Sequence, residues 1–371
     1  MIQEKRLVER LMAYVQIDSE TRSEGRFSQA LAQELKAMGV EVAFDTAGEK
    51  IGSDGNNLVA RLKGTLPGAP ILFSCHMDTV MPGKGIVPRL EDGVVRSSGE
   101  TILGADDKGG IAAVVEAMQM LIESGTPHRT VEALFTIAEE GGLNGAKHMD
   151  MSLVSGTQGF VLDSGGAPGE IVIQAPSQDK IEARILGRPA HAGICPEQGI
   201  SAIQVVARAI QNMNLLRIDE ETTANIGIIR GGDATNIVCP EVWIKAEARS
   251  LREEKLEAQT RHMAQCIEEA CEAFGAQAEI TVSREYGGYA VKEGDALLSY
   301  VEGVIRDLGL TPVRATSGGG SDTNIFNNRG LKLLNLGTGM SKCHTLDEYM
   351  TVKDLSDLTR LVHQLILSWN I

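Results

Sequence analysis

The chain has 371 residues, a length that suits about two domains. Its 43% hydrophobic and 23% charged residues are ordinary globular proportions and exclude a disordered or fibrous chain. Fifty acidic against 35 basic side chains leave a formal charge of −15, which repels phosphate backbones and anionic lipid and argues against nucleic-acid and membrane partners.

The opening MIQEKRLVERLMAYVQI is charged throughout and lacks the apolar stretch of a secretory signal. No run reaches the ~18 apolar residues of a membrane helix. Six cysteines (Cys75, Cys195, Cys239, Cys266, Cys271, Cys343) form no CxxC pair. Reduced thiols and a cytoplasmic location are expected.

In chain order, apolar residues at helical spacing predict helices over 3–16 and 25–38. NLVARL at 57–62 and PILFSCH at 70–76 are strand-like. A long helix is predicted from near Asp107 through GGIAAVVEAMQMLIESG, followed by buried strands at 131–138 and 159–163. Strands alternating with helices imply a mostly parallel sheet with helices on both faces.

Near residue 177 the pattern changes. DKIEARILG at 179–187 alternates polar and apolar residues, as a half-exposed antiparallel strand does. A helix at about 199–214, strands at about 225–230 and 237–249, a helix at 252–274 and a strand at 277–284 follow. This β-α-β-β-α-β order is the ferredoxin-like arrangement. The first pattern resumes near 290 with a helix at about 295–308, a glycine loop, the apolar strand LKLLNLG at 331–337 and a final helix over 352–370. The expected fold is α/β: a mixed, mostly parallel sheet flanked by helices, in two parts (1–176 and 288–371), with a ferredoxin-like α+β domain (177–287) inserted between them.

Ligands of open α/β sheets bind outside the carboxyl ends of the strands, and chemistry collects there. PILFSC runs into His76-Met77-Asp78, TIA into Glu139-Glu140, FVL into Asp163, and LLNLGTG toward Cys343-His344. Gly104-Ala105-Asp106-Asp107-Lys108-Gly109-Gly110 opens the long helix. Taken singly each has an ordinary reading: a polar loop His, a solvated Glu pair, an Asp at a helix N-cap. Gathered at one rim, Asp78, Asp106, Glu139, Glu140 and Asp163 would repel one another and raise their pKa values unless cations compensate. Three ligating carboxylates, two divalent ions and one bridging hydroxide balance in charge, with two neutral imidazoles completing the shells. Such ligands suit zinc, with cobalt or manganese as alternatives. In an extended segment His76 and Asp78 point to one side, so Asp78 can accept the free imidazole N–H. Adjacent Glu139 and Glu140 diverge, so one can bind metal while the other faces the attacking water.

HMDTV at 76–80, GADDKGG at 104–110, EEGGLNGA at 139–146, LDSGG at 162–166 and CHTLDE at 343–348 together resemble the M20 metallopeptidases, in particular the peptidase T-like (tripeptidase) branch. The resemblance implies a zinc-peptidase-like catalytic domain, with the inserted domain as its lid, and two Zn²⁺ ions per subunit. Asp106 would bridge the metals, His76 and Asp163 completing one position and Glu140 and His344 the other. Glu139 would be the general base and Asp78 the orienting acid, and a cis peptide would follow Asp106. GRPAHAG at 187–193 resembles the segment that places a His, here His191, on the developing oxyanion. Asn236 and Arg249 resemble substrate contacts, Arg249 serving equally well in a surface ion pair. SGGGSDTN at 317–324, with Gly319 and Ser321, resembles a loop lining the substrate cleft, Ser321 reading equally as a helix cap.

The implied activity is hydrolysis of short peptides by a tripeptidase or aminopeptidase, through a metal-bridging hydroxide and the Glu base. The alternatives are an amidase with the same metal core (an N-acyl-amino-acid deacylase or a carboxypeptidase) and a catalytically inactive peptide-binding protein. Edge strands of the inserted domain offer a symmetric homodimer. Cys75 and Cys343 precede ligand candidates and are expected to point away and pack.

Overall fold

In the computed structural model, which describes residues 2–371, the chain runs α1 (Glu4–Val15), α2 (Gly25–Ala37), β1 (Glu41–Phe44), α3 (Ala47–Ile51), β2 (Leu58–Leu62), β3 (Ile71–His76), β4 (Pro88–Glu91), β5 (Val94–Ser97), α4 (Ala105–Ser124), β6 (Val131–Thr136), α5 (Asn144–His148), β7 (Gln158–Ser164) and β8 (Glu170–Ala175). It continues through β9 (Ser177–Leu186), α6 (Ala202–Asn212), β10 (Leu216–Arg217), β11 (Thr222–Gly231), β12 (Glu241–Ser250), α7 (Glu253–Phe274) and β13 (Gln277–Tyr286). The last part holds β14 (Tyr289–Ala290), α8 (Ala296–Asp307), β15 (Val313–Thr316), α9 (Asp322–Asn328), β16 (Lys332–Gly337), β17 (Met340–Ser341), β18 (Tyr349–Thr351) and α10 (Val352–Ser368).

Two units result: Met1–Ile173 with Ala290–Thr316 and Ser321–Ile371, and Gln174–Tyr289 with Ser317–Gly320. The main sheet of the first unit has the order β1-β2-β6-β3-β7-β16-β8-β14, with β15 also on β8. Its centre is parallel: β3 pairs with β6 and β7, and β7 with β16. Antiparallel β2 and β8 flank that centre.

The central strands are apolar runs because both of their faces are covered. Every residue of β3 and of β6 is buried. Helix α4 is buried almost all round, packing on β3, β7, α1 and α10. Each fully buried Leu, Ile, Val or Phe here contributes about 1.5–3 kcal/mol of transfer free energy. Parallel strands share one direction, so β3, β6, β7 and β16 deliver their C-terminal residues to one edge. That edge positions the site.

The second unit has the order β9-α6-β11-β12-α7-β13 along the chain, with short β10 added, and β10-β11-β12-β9-β13 across its antiparallel sheet. This is the ferredoxin-like arrangement. Ile181, Ala183 and Ile185 of β9 alternate into a core shared with Val205 and Val206 of α6 and with Leu256, Met263 and Ile267 of α7.

Several short elements escape periodicity: β1, α3, the β4–β5 hairpin, β8, α9 and β17–β18. Each is too short to show a period, and β4 is largely exposed. The strand expected from 237 begins at Glu241, one residue after Pro240, which offers no N–H to a ladder. The helix expected over 199–214 is limited to Ala202–Asn212, with Ser201 accepting from the Gln204 N–H as its cap. Among the described residues no helix is long and apolar enough to cross a membrane.

One buried carboxylate ties the sheet to the chain behind it. Glu132, fully buried on β6, accepts from Arg61 Nε at 2.8 Å and Ser155 Oγ at 2.6 Å, and from the N–H groups of Ser155 at 3.0 Å and Gly156 at 2.8 Å. Burial opposes its charge, but these donors outweigh it and hold its pKa below the ordinary 4.5. Its stabilisation is therefore present above pH 4.5 and is lost as pH falls through the lower, folded-state value. Glu132→Gln should cost about 1–3 kcal/mol at neutral pH in urea unfolding, and the gap to the parent should close on acidification. A gap that stays constant down to acid unfolding refutes this account.

Candidate metal centre

His76 ends β3, and its Nδ1 lies 2.9 Å from the carbonyl oxygen of Asp78. A carbonyl only accepts, so Nδ1 carries a proton, and Nε2 is the nitrogen turned toward the acidic side chains. That nitrogen lies 2.9 Å from Asp106 Oδ1 and 3.7 Å from Asp163 Oδ1. His344 comes from the loop after β17, in a left-handed conformation (φ 64°). Its Nε2 is 2.7 Å from Glu140 Oε1 and 3.2 Å from Asp106 Oδ2. Asp106 thus stands between the two imidazoles, one oxygen toward each.

Asp106 and Asp107 have non-helical dihedrals at the start of α4, and the peptide between them is cis. Glu348 holds the approach to that turn. Its Oε2 accepts from the N–H groups of Leu103 and Gly104, both at 2.8 Å, and its Oε1 from that of Asp106 at 3.1 Å.

The carboxylate of Asp78 departs from the expected geometry. Its Oδ1 is 3.6 Å from His76 Nδ1, because the backbone carbonyl of the same residue takes that position. The carboxylate accepts instead from the N–H groups of Glu139 at 2.9 Å and Glu140 at 3.2 Å, and from Thr21 Oγ1 at 2.8 Å. Glu24 adds a bond from the Ala138 N–H at 2.9 Å, where Ala138 has a positive φ of 48°. Three successive N–H groups are thus held by buried acids, and the turn presents Glu139 and Glu140 at the rim.

Charge follows from this packing. Burial and the nearby Asp163 push Glu139 well above the usual carboxylate range. Burial raises Asp163 likewise, with Asp106 adding to it. Burial disfavours charge on Asp106 too, but hydrogen bonds from His344 and His76 outweigh it and pull Asp106 down. Bonds to Asp106 and Glu140 lift His344 to about 10. Burial works against a charged His76, yet the carboxylates of Asp106 and Asp78 raise it well above 6.5.

This donor set fits cations. Carboxylate oxygens of Asp106, Glu140 and Asp163 converge with the imidazole nitrogens of His76 and His344, an arrangement that a cation among them would stabilise. Zinc bonds of about 2.0–2.2 Å put neighbouring ligand atoms roughly 3–3.5 Å apart, comparable with the spacings here. Ligand atoms of His76, Asp106 and Glu140 lie within 4.8 Å of one another, as do those of His76, Glu139 and Asp163. Glu139 thus stands among the ligand candidates.

Composition and spacing did not single out Glu348, Thr21, Glu24, Asn335 or Asp322. Asp322 is 2% exposed, accepts from Thr136 Oγ1 at 2.6 Å and is pushed up to about 6 by burial. CHTLDE and SGGGSDTN carried a signal, since Glu348 closes the first and Asp322 lies within the second. Ser321 caps α9, its Oγ accepting from the Thr323 N–H at 3.3 Å. Cys75 is buried, and burial raises its thiol well above 9.0; Cys343 is partly buried and raised for the same reason.

The remaining candidates lie in the second unit. The chain around His191 runs beside that around Asn236: Ala192 N–H donates to the Asn236 carbonyl and Val238 N–H to that of Ala190, both at 2.9 Å. Arg249 pairs with Glu247 through Nε at 2.9 Å and Nη2 at 3.1 Å. Gly319 lies near it, with Arg249 Nη1 3.6 Å from where a Cβ would stand.

Residues 72–368 match peptidase family M20/M25/M40. An uncharacterised protein of Bacillus subtilis strain 168, YqjE, is 44% identical over 366 residues, covering 99% of each chain. The crystal structure of aminopeptidase PepT from Bacillus cereus ATCC 10987 is similar at a TM-score of 0.89 and 43% identity, over 99% of this chain and 98% of that one. A tripeptidase structure from Staphylococcus aureus Mu50 is similar at a TM-score of 0.94 and 39% identity, with the same coverage.

Glu348→Gln would set an amide NH₂ against one of the three N–H groups it now accepts. We expect about 10- to 100-fold weaker metal binding or activity, with faster hydrogen exchange at Leu103, Gly104 and Asp106. Unchanged exchange at those amides would show that Glu348 does not hold the turn.

Proposed function

The chain belongs to peptidase family M20/M25/M40, and we propose that it hydrolyses short peptides as a tripeptidase or aminopeptidase with two zinc ions. The observation that carries this reading is Asp106, one oxygen toward His76 and the other toward His344. Asp106 would bridge the ions, with His76 and Asp163 at one and Glu140 and His344 at the other. Full-length similarity to structures described as an aminopeptidase and a tripeptidase supports the substrate class.

When bound, the ions would supply a lowered pKa for water and a Lewis-acid pull on the scissile carbonyl. The rest falls to the chain's own groups. Glu139 takes the proton of the attacking water and passes it to the leaving amine. Asp78 keeps Glu139 and Glu140 on diverging paths by accepting both backbone N–H groups. The Nδ1–H of His76, held by the Asp78 carbonyl, leaves Nε2 as the nitrogen that would serve as ligand.

The oxyanion role of His191 and the substrate contacts of Asn236, Arg249, Gly319 and Ser321 rest on motif resemblance. The six free cysteines support a reducing, cytoplasmic setting. The open edge of β13, with Val282 exposed, supports symmetric pairing of two copies.

Glu139→Gln should lower kcat by about 10²–10⁴-fold while the metal content by elemental analysis stays that of the parent. Normal turnover by this variant would remove Glu139 as the base. Dialysis against a chelator should abolish hydrolysis, and zinc or cobalt should restore it; full activity in the metal-free protein would end the two-metal reading. A tripeptide with a free amino terminus should be cleaved and its amino-blocked form spared. The reverse preference would favour a deacylase or carboxypeptidase.

A further inference from the structure

β7 and β16 pair in register from Lys332 opposite Gln158 to Asn335 opposite Val161, after which Gly337 stands opposite Ser164. Two steps along β16 answer three along β7. β7 therefore carries an extra residue at Leu162–Asp163, a bulge, which is rare between parallel strands. On its other side β7 pairs with β3 only from Gln158 to Val161. Asp163 lies past the end of one ladder and inside the break of the other.

Both backbone groups of Asp163 nevertheless have partners, and one side chain supplies them. The Asp163 N–H donates to Asn335 Oδ1 at 3.0 Å, and Asn335 Nδ2 donates to the Asp163 carbonyl at 2.9 Å. The same Nδ2 lies 3.3 Å from Ser321 Oγ at the cap of α9. Asn335 is 5% exposed and stands among buried Leu333, Leu334 and Leu336, where an amide is disfavoured unless its hydrogen bonds are met.

We infer that Asn335 is a positioning residue for Asp163: its amide replaces the two ladder bonds that the bulge removes and so sets the direction of the Asp163 carboxylate. The inference rests on reading Asp163 as a metal ligand. In an unbroken strand Asp163 would share a face with Val161, two residues earlier. The extra residue cancels that alternation and re-aims the side chain. Among the described residues, the bonds to Asn335 are what hold the Asp163 peptide groups at the break.

The test is cobalt titration of the full chain stripped of metal. Asn335→Leu keeps similar volume and removes the amide. It should weaken one of two cobalt positions about 10- to 100-fold and leave the other as in the parent, with peptide hydrolysis recovering in excess cobalt. Leu336→Ala, a core deletion in the same strand, should lower Tm and keep both affinities. Unchanged binding in Asn335→Leu, or equal weakening of both positions there and in Leu336→Ala, overturns the inference. Asp163→Asn with two full-strength positions would remove the ligand reading itself, whatever Asn335 does. Should Asn335→Leu not fold, Asn335→Asp keeps the acceptor for the Asp163 N–H but offers no donor to its carbonyl, and the same outcomes decide.

Discussion

Carboxylates drawn out of water need positive charge or N–H groups around them, and this need shapes the edge of the main sheet. Asp78 and Glu348 each accept three donors, five of the six being backbone N–H groups. Removing an ionised acid from water costs several kcal/mol, and here that cost is offset by N–H groups which themselves lacked ladder partners. The acids and the turns stabilise each other, so neither geometry can drift alone.

A division of labour follows. Asp78, Glu348 and Glu24 are occupied by the chain and hold turns. Asp106, Glu140 and Asp163 turn their oxygens toward imidazole nitrogens or one another, and Glu139 stands among them. The first three fix the turns that carry Asp106, Glu139 and Glu140. This explains why the site contains more carboxylates than two ions would need, and why Asp78 meets His76 through its carbonyl rather than its side chain.

The scaffold makes the gathering possible by direction alone. Parallel β3, β6, β7 and β16 are buried on both faces and end on one edge, so residues far apart in sequence arrive together: His76, Glu139 with Glu140, and Asp163, with the loop toward His344 following β16. The second unit carries His191, Asn236 and Arg249 on its own antiparallel sheet and loops.

Local pattern was enough for the long elements, the switch from parallel-sheet to ferredoxin-like patterning near residue 177, and the residue types at the strand ends. These depend on local periodicity and on which side chains can carry a proton or a ligand. HMDTV, GADDKGG and EEGG were legible because their chemistry lies within a few residues. Tertiary structure alone decided which atom of Asp78 meets His76, which distant acid, Glu348, braces Asp106, and that a bulge at Asp163 is held by Asn335. The last two are contacts between segments far apart in the chain, one of them 242 residues apart, and a one-residue slip in strand register has no counterpart in composition or spacing.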